Sequence, residues 1–143
     1  MTRSRRRRDQ RLPGLAGRRC CHADCDPVVV LNPRRSEFDL ASPEATAEQI
    51  GWEVANRKHP RLSYMLFWFP ASNSVQPISL LELGAALARP ELPIVIGAAP
   101  GYLRRTDVVL QCRSERPDLV VHDQLSDTIT ELRALLNWTP ATT

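Results

Sequence analysis

The chain has 143 residues, 43% of them hydrophobic and 24% charged, an ordinary balance for one globular domain with a real core. No apolar run approaches the roughly 18 residues needed to cross a bilayer, so no membrane-spanning class is expected. The formal charge of +3 is unevenly placed: Met1–Asp26 holds eight arginines against Asp9, Asp24 and Asp26, while eleven basic and thirteen acidic residues follow from Pro27 onward.

That distribution divides the chain into a disordered, arginine-rich arm over residues 1–26 and a domain over residues 27–138. Arg3 and Arg5–Arg8 could hold phosphates non-specifically. No aromatic residue interleaves with them, so stacking on bases has no support and nucleic acid is not an expected partner. A solvated arm, or a start placed too far upstream, is the favoured reading. Leu12–Gly17 is broken by Pro13 and Gly14 and is too short for a secretory core, which leaves the cytoplasm as the expected compartment. Cys20, Cys21, His22 and Cys25 are dense, but an adjacent cysteine pair chelates poorly and no second pair follows. Neither a metal nor a cofactor is expected.

Within the domain, Val28–Leu31 is a short β-branched run before a turn signal and reads as a strand. Asn32-Pro33-Arg34-Arg35 then sets an amide and two guanidiniums at its carboxyl end, where they suit an anion or sit in a solvated loop. Ser42-Pro43-Glu44 supplies an N-cap, a proline at the first helical position and an acid facing the dipole. The helix should run to about Lys58, packing through Ala47, Ile50, Val54 and Ala55, with Trp52 and Glu53 beside that stripe.

Tyr64–Pro70 is an unbroken apolar and aromatic run stopped by proline, which predicts a strand buried on both faces. The polar loop Ala71–Gln76 follows, and Pro77 or Ser79 opens a helix to Leu87. Pro93–Gly97 predicts a second buried strand, leading into the loop Ala98–Arg105 with Tyr102, Arg104 and Arg105. A short helix over Asp107–Arg113, a strand over Leu119–His122 and an amphipathic helix over Ser126–Leu136, packing through Ile129, Leu132 and Leu136, complete the series. Strands alternating with helices point to an α/β fold with a mostly parallel, doubly wound sheet. Met1–Asp26 offers it no strand-like run.

Glu82 is the only acid between Glu53 and Glu91, and two readings compete for it. Ser79-x-x-Glu82 fits a capping box, in which the glutamate returns to the cap's own amide. Alternatively, Glu82 is a carboxylate facing a ligand beyond the carboxyl end of the strand, where open α/β sheets bind. Pro77 discriminates: if it is the first helical residue, Glu82 falls past the first turn and the box fails.

Five blocks occur in order at compact spacing: Asn32-Pro33-Arg34-Arg35, Gln49-Ile50-Gly51-Trp52-Glu53, Phe67-Trp68-Phe69-Pro70, Pro77–Gly84 and Pro100–Val108. Together they resemble the nucleoside 2-deoxyribosyltransferase-like family over roughly Val28 to Leu136. The resemblance implies a flavodoxin-like or Rossmann-like three-layer fold, here with the family's first strand missing or replaced. It implies Glu82 as catalytic nucleophile, cleaving or transferring at the N-glycosidic bond of a nucleoside or nucleotide through a glycosyl-enzyme. Asn32, Arg34, Trp52, Glu53, Trp68, Pro70, Gln76, Tyr102 and Arg104 would contact the substrate, in a homo-oligomer. Ser63 and Gln76 stand where relatives carry acids. These departures, with the missing strand, support the alternative of a non-catalytic nucleotide-binding module.

Overall fold

The computed structural model describes residues 18–20, 28–32 and 42–137. The chain divides into two units, Met1–His59 and Pro60–Thr143.

In the first unit, β1 (Arg18–Cys20) pairs antiparallel with β2 (Val28–Val30), with Arg18 opposite Val30 and Cys20 opposite Val28. The expectation of no strand before residue 27 is thereby corrected. The ladder joins main-chain groups, which Arg-Arg-Cys supplies as well as any other tripeptide, so no apolar pattern announces it. Next comes α1 (Pro43–Arg57), begun as expected by Ser42, whose Oγ accepts from the Ala45 amide at 3.1 Å.

The stripe predicted for α1 is not its covered side. None of its residues is buried, and Ala47, Ile50 and Ala55 are exposed. Of the predicted stripe only Val54 is half-buried, together with Ala45, Thr46, Gln49, Trp52, Glu53, Asn56 and Arg57; Ala45, Gln49, Trp52, Glu53 and Asn56 among them follow helical spacing one step round the helix. Polar bonds follow that side: Gln49 Nε2 donates to Glu53 Oε1 at 2.5 Å, and Asn56 Nδ2 to the Trp52 carbonyl at 2.8 Å.

The second unit alternates β3 (Met65–Phe69), α2 (Pro77–Leu87), β4 (Ile94–Ala98), α3 (Arg105–Glu115), β5 (Val121–His122) and α4 (Leu125–Leu135). The three strands form a parallel sheet in the order β3-β4-β5. Because spatial order follows chain order, two successive right-handed crossovers bring α2 and α3 to one face. Phe67, Phe69, Ile94, Ile96 and Ala98 of the strands are buried in one cluster with Leu83, Ala86 and Leu87 of α2 and Val108 and Cys112 of α3.

Alternate strand residues turn the other way. There α4 comes close: a Cβ built on Gly97 would collide with Thr128 Oγ1 and lie 2.6 Å from the Trp68 ring. Glycine in this strand is what permits the approach. Thr128 is fully buried, and its hydroxyl donates back to the Gln124 carbonyl at 2.9 Å. The predicted packing residues Ile129, Leu132 and Leu136 are half-buried around it. The architecture is therefore α/β, with a three-stranded parallel sheet and four helices, compatible with a Rossmann-like fold.

Burial of β3 differs from the expectation. All five residues of β4 are buried, whereas in β3 Leu66 is exposed and Met65 and Trp68 are half-buried. The reason is position: β4 has a strand on either side, and β3 ends the ladder among the described residues. Among those residues no helix is long and apolar enough to cross a membrane.

Candidate functional site

The carboxyl ends of β3 and β4 carry the two loops on which Pro70, Gln76, Tyr102 and Arg104 lie. Pro70 follows β3 directly and has no amide to extend a ladder. The chain then passes through Ala71–Gln76 into α2. Gln76 is the N-cap, at φ 50° and ψ 56°, with no side-chain capping bond. Its amide donates to Ser74 Oγ at 3.3 Å, and its carbonyl accepts the first helical bond from Leu80 at 3.1 Å. A glutamine held in the left-handed region is strained by on the order of 1 kcal/mol or more, a cost that clusters at ligand sites. The same loop hides Ser72 Oγ from solvent with no hydrogen-bond partner among the described residues. The sequence reading missed Ser72, and no pattern in the loop singles it out.

Pro77 is the first residue of α2. Ser79 is therefore the third helical residue and not the cap, and Glu82 stands in the second turn, so the capping-box reading is overturned. Glu82 is half-buried. The first turn of α2 contains no acid, which leaves its amide end electropositive.

The β4–α3 loop is bound tightly to the β3–α2 loop. The Ala99 amide donates to the Phe69 carbonyl at 2.9 Å, and Tyr102 Oη donates to the Val75 carbonyl at 2.7 Å. The Tyr102 ring stacks on Phe69 with centroids 5.1 Å apart. Gly101 fits against Ala71, where a Cβ would come within 2.9 Å of the Ala71 methyl. Tyr102 itself is buried, and that burial raises its phenolic pKa, with Arg104 acting in the opposite direction. In this structure, then, Tyr102 is a strut between loops.

Arg104 is exposed and pairs with Asp107 at 2.8 Å, one turn into α3. Its neighbour Arg105 turns inward: Nε donates to the Ala98 carbonyl at 3.1 Å and the guanidinium pairs with Asp123, joining the ends of β4 and β5. Trp68 lies half-buried over Gly97, and Pro70 is exposed. Trp68 therefore turns to the α4 side, while α2, which carries Glu82, packs on the opposite face.

Asn32, Trp52 and Glu53 belong to the first unit; Asn32 is exposed, and Trp52 and Glu53 are half-buried on α1. Arg34 lies outside the described residues. Ser63 precedes β3, so it stands at the amino end of the sheet, about 20 Å along the strand from Pro70. His122 pairs with Glu131 of α4, Nε2 to Oε2 at 2.6 Å, on the face away from α2. Of the dense cysteine cluster only Cys20 is described. Among the described residues no three of His, Cys, Asp or Glu stand together as metal ligands.

What the arrangement offers is a half-buried carboxylate in the second turn of an apolar helix, a strained glutamine at that helix's entrance and a rigid two-loop rim. Neither the protein-family models nor the curated proteins contain a match to this chain.

Proposed function

We propose that this protein cleaves or transfers at the N-glycosidic bond of a nucleoside or nucleotide, with Glu82 as nucleophile. The observation that carries the reading is the start of α2. Pro77 at the first helical position and Gln76 as a left-handed N-cap move Glu82 out of any capping role and leave it half-buried in the second turn. The acid-free amide end of the same helix favours an anionic group such as a phosphate, in line with a nucleotide substrate.

In this mechanism the Glu82 carboxylate attacks the anomeric carbon as the carbon–nitrogen bond breaks, and the bonding pair leaves with the base. The resulting ester is resolved by water, giving hydrolysis, or by a second base, giving transfer. Two displacements retain the anomeric configuration and divide one difficult step through an oxocarbenium-like transition state. The leaving base takes a proton from solvent or from a group outside those described above, because His122 faces the other side of the sheet. The domain belongs on this reading to the doubly wound, three-layer folds, as a cytoplasmic homo-oligomer.

Glu82→Gln keeps the side chain's size and removes the attacking anion. Nucleoside turnover should fall at least about a thousandfold, roughly 4 kcal/mol of barrier. A 2-fluoro-substituted nucleoside should label the unmodified protein covalently at Glu82, read by intact mass. Nucleosides that raise the melting temperature without turnover or label would instead establish the non-catalytic binding module.

A further inference from the structure

The outer edge of β3 differs from every other strand edge in the second unit. The Met65 amide donates to Pro93 of the β4 side at 3.1 Å, and the Phe69 carbonyl accepts from Ala99 at 2.9 Å. Since the amide and carbonyl of one strand residue point the same way, Met65, Phe67 and Phe69 direct their main-chain groups toward β4. Leu66 and Trp68 direct theirs outward, where β3 has no ladder partner among the described residues. Natural sheets blunt such an edge with charge, proline or brevity. The opposite edge follows that rule, for β5 is only two residues long. β3 has five residues, Met-Leu-Phe-Trp-Phe, and no charged residue lies between Arg61 and Glu82.

We propose that two copies of this chain associate through this edge, β3 against β3, antiparallel about a two-fold axis at Phe67. In that register Leu66 lies opposite Trp68 of the second copy, and Trp68 opposite its Leu66. Each such pair exchanges two main-chain hydrogen bonds, so all four outward groups of Leu66 and Trp68 are satisfied together. Phe67 meets its own copy at the close, non-bonded position, where aromatic cross-strand pairs add stability. A two-fold contact brings each side chain near its own symmetry mate, and an uncharged strand meets no repulsion there. The partly exposed Leu66 side chain, 39% accessible, then covers the Trp68 indole of the second copy. This inference does not depend on the glycosidic chemistry.

The test is sedimentation velocity of the full chain from about 1 to 100 µM, together with amide hydrogen exchange at Leu66 and Trp68. A dimer is expected, with both amides protected in it and exchanging faster on dilution. Leu66→Lys places two like charges on diagonal neighbours of the new ladder, positions about 7–8 Å apart at the backbone, and should raise the dissociation constant at least about tenfold. Leu66→Pro deletes an amide that points away from β4, so it should break the dimer while the β3–β4 ladder persists. A monomer throughout the concentration range overturns the proposal, and so does a dimer that both variants leave intact. Protection of both amides in a monomer would put a segment of the same chain on the edge, which overturns it equally.

Discussion

Replacing Gly97 by alanine adds one methyl group at the tightest contact between the sheet and α4. Its carbon would lie 2.6 Å from Cε3 and 2.7 Å from Cζ3 of Trp68, and would overlap Thr128 Oγ1. Ordinary carbon contacts begin near 3.5 Å, so the indole and the helix must each retreat. Thr128 is fully buried, and its hydroxyl is anchored on the Gln124 carbonyl at 2.9 Å, so it cannot simply rotate away. Overpacking of this kind costs about 1–3 kcal/mol. Removing a glycine from a strand returns about 0.5–1 kcal/mol through the unfolded chain. A net loss of about 1–2 kcal/mol should appear as a lower urea midpoint at unchanged slope. Adding Thr128→Ala should recover part of it, with a coupling of at least about 0.5 kcal/mol in the double-mutant cycle. If Gly97→Ala matches or exceeds the parent's stability, Trp68 and Thr128 do not stand over this strand, and the placement of α4 is wrong.

Tyr102→Phe keeps the ring stacked on Phe69 and removes the hydroxyl that reaches Val75. Because the bond to Val75 is only part-buried, the expected cost in denaturation is about 0.5–1.5 kcal/mol. An equal or greater stability would show that the bond contributes nothing to holding the loops. Burial pushes the Cys112 thiol up to about 11 from its usual 9.0. A folded-state pKa raised above the unfolded one stabilises below the unfolded value and is lost as pH climbs, so stability should fall between about pH 9 and 11. Cys112→Ala should make that decline shallower, leaving the share due to the buried Tyr102 phenol; identical pH slopes would refute the assignment.

The elements legible from sequence are those whose signals are local. Ser42-Pro43 fixes the start of α1 because capping and a preset proline dihedral involve only neighbours in the chain. Pro77 takes Glu82 out of the capping box for the same reason, and the two strand-end loops follow from Pro70 and the Pro100-Gly101 turn. Burial was legible only in part. Met-Leu-Phe-Trp-Phe reads as a central strand because apolar content reports what a strand can bury and not which strands stand beside it. In α1 aliphatic content points to Ala47 and Ile50, while polar Gln49 and Asn56 occupy the less exposed side. The packing of Thr128 against Gly97 and the pairing of Arg105 with Asp123 are not legible from sequence, because the partners are remote along the chain. A glycine inside a β-run was the one available hint that something presses on β4.

Four contacts make the β3–α2 and β4–α3 loops one body: Ala99 to Phe69, Tyr102 to Val75, the stacked rings and the close fit of Gly101 on Ala71. For protein engineering this makes them a single transplantable cassette. A graft of residues 70–76 onto a related scaffold would arrive without the phenol that anchors Val75. A graft of residues 99–104 alone would bring that phenol without its acceptor. Variation in specificity at this rim should therefore be sought through paired changes in both segments, and libraries that diversify one loop at a time should return mostly destabilised chains.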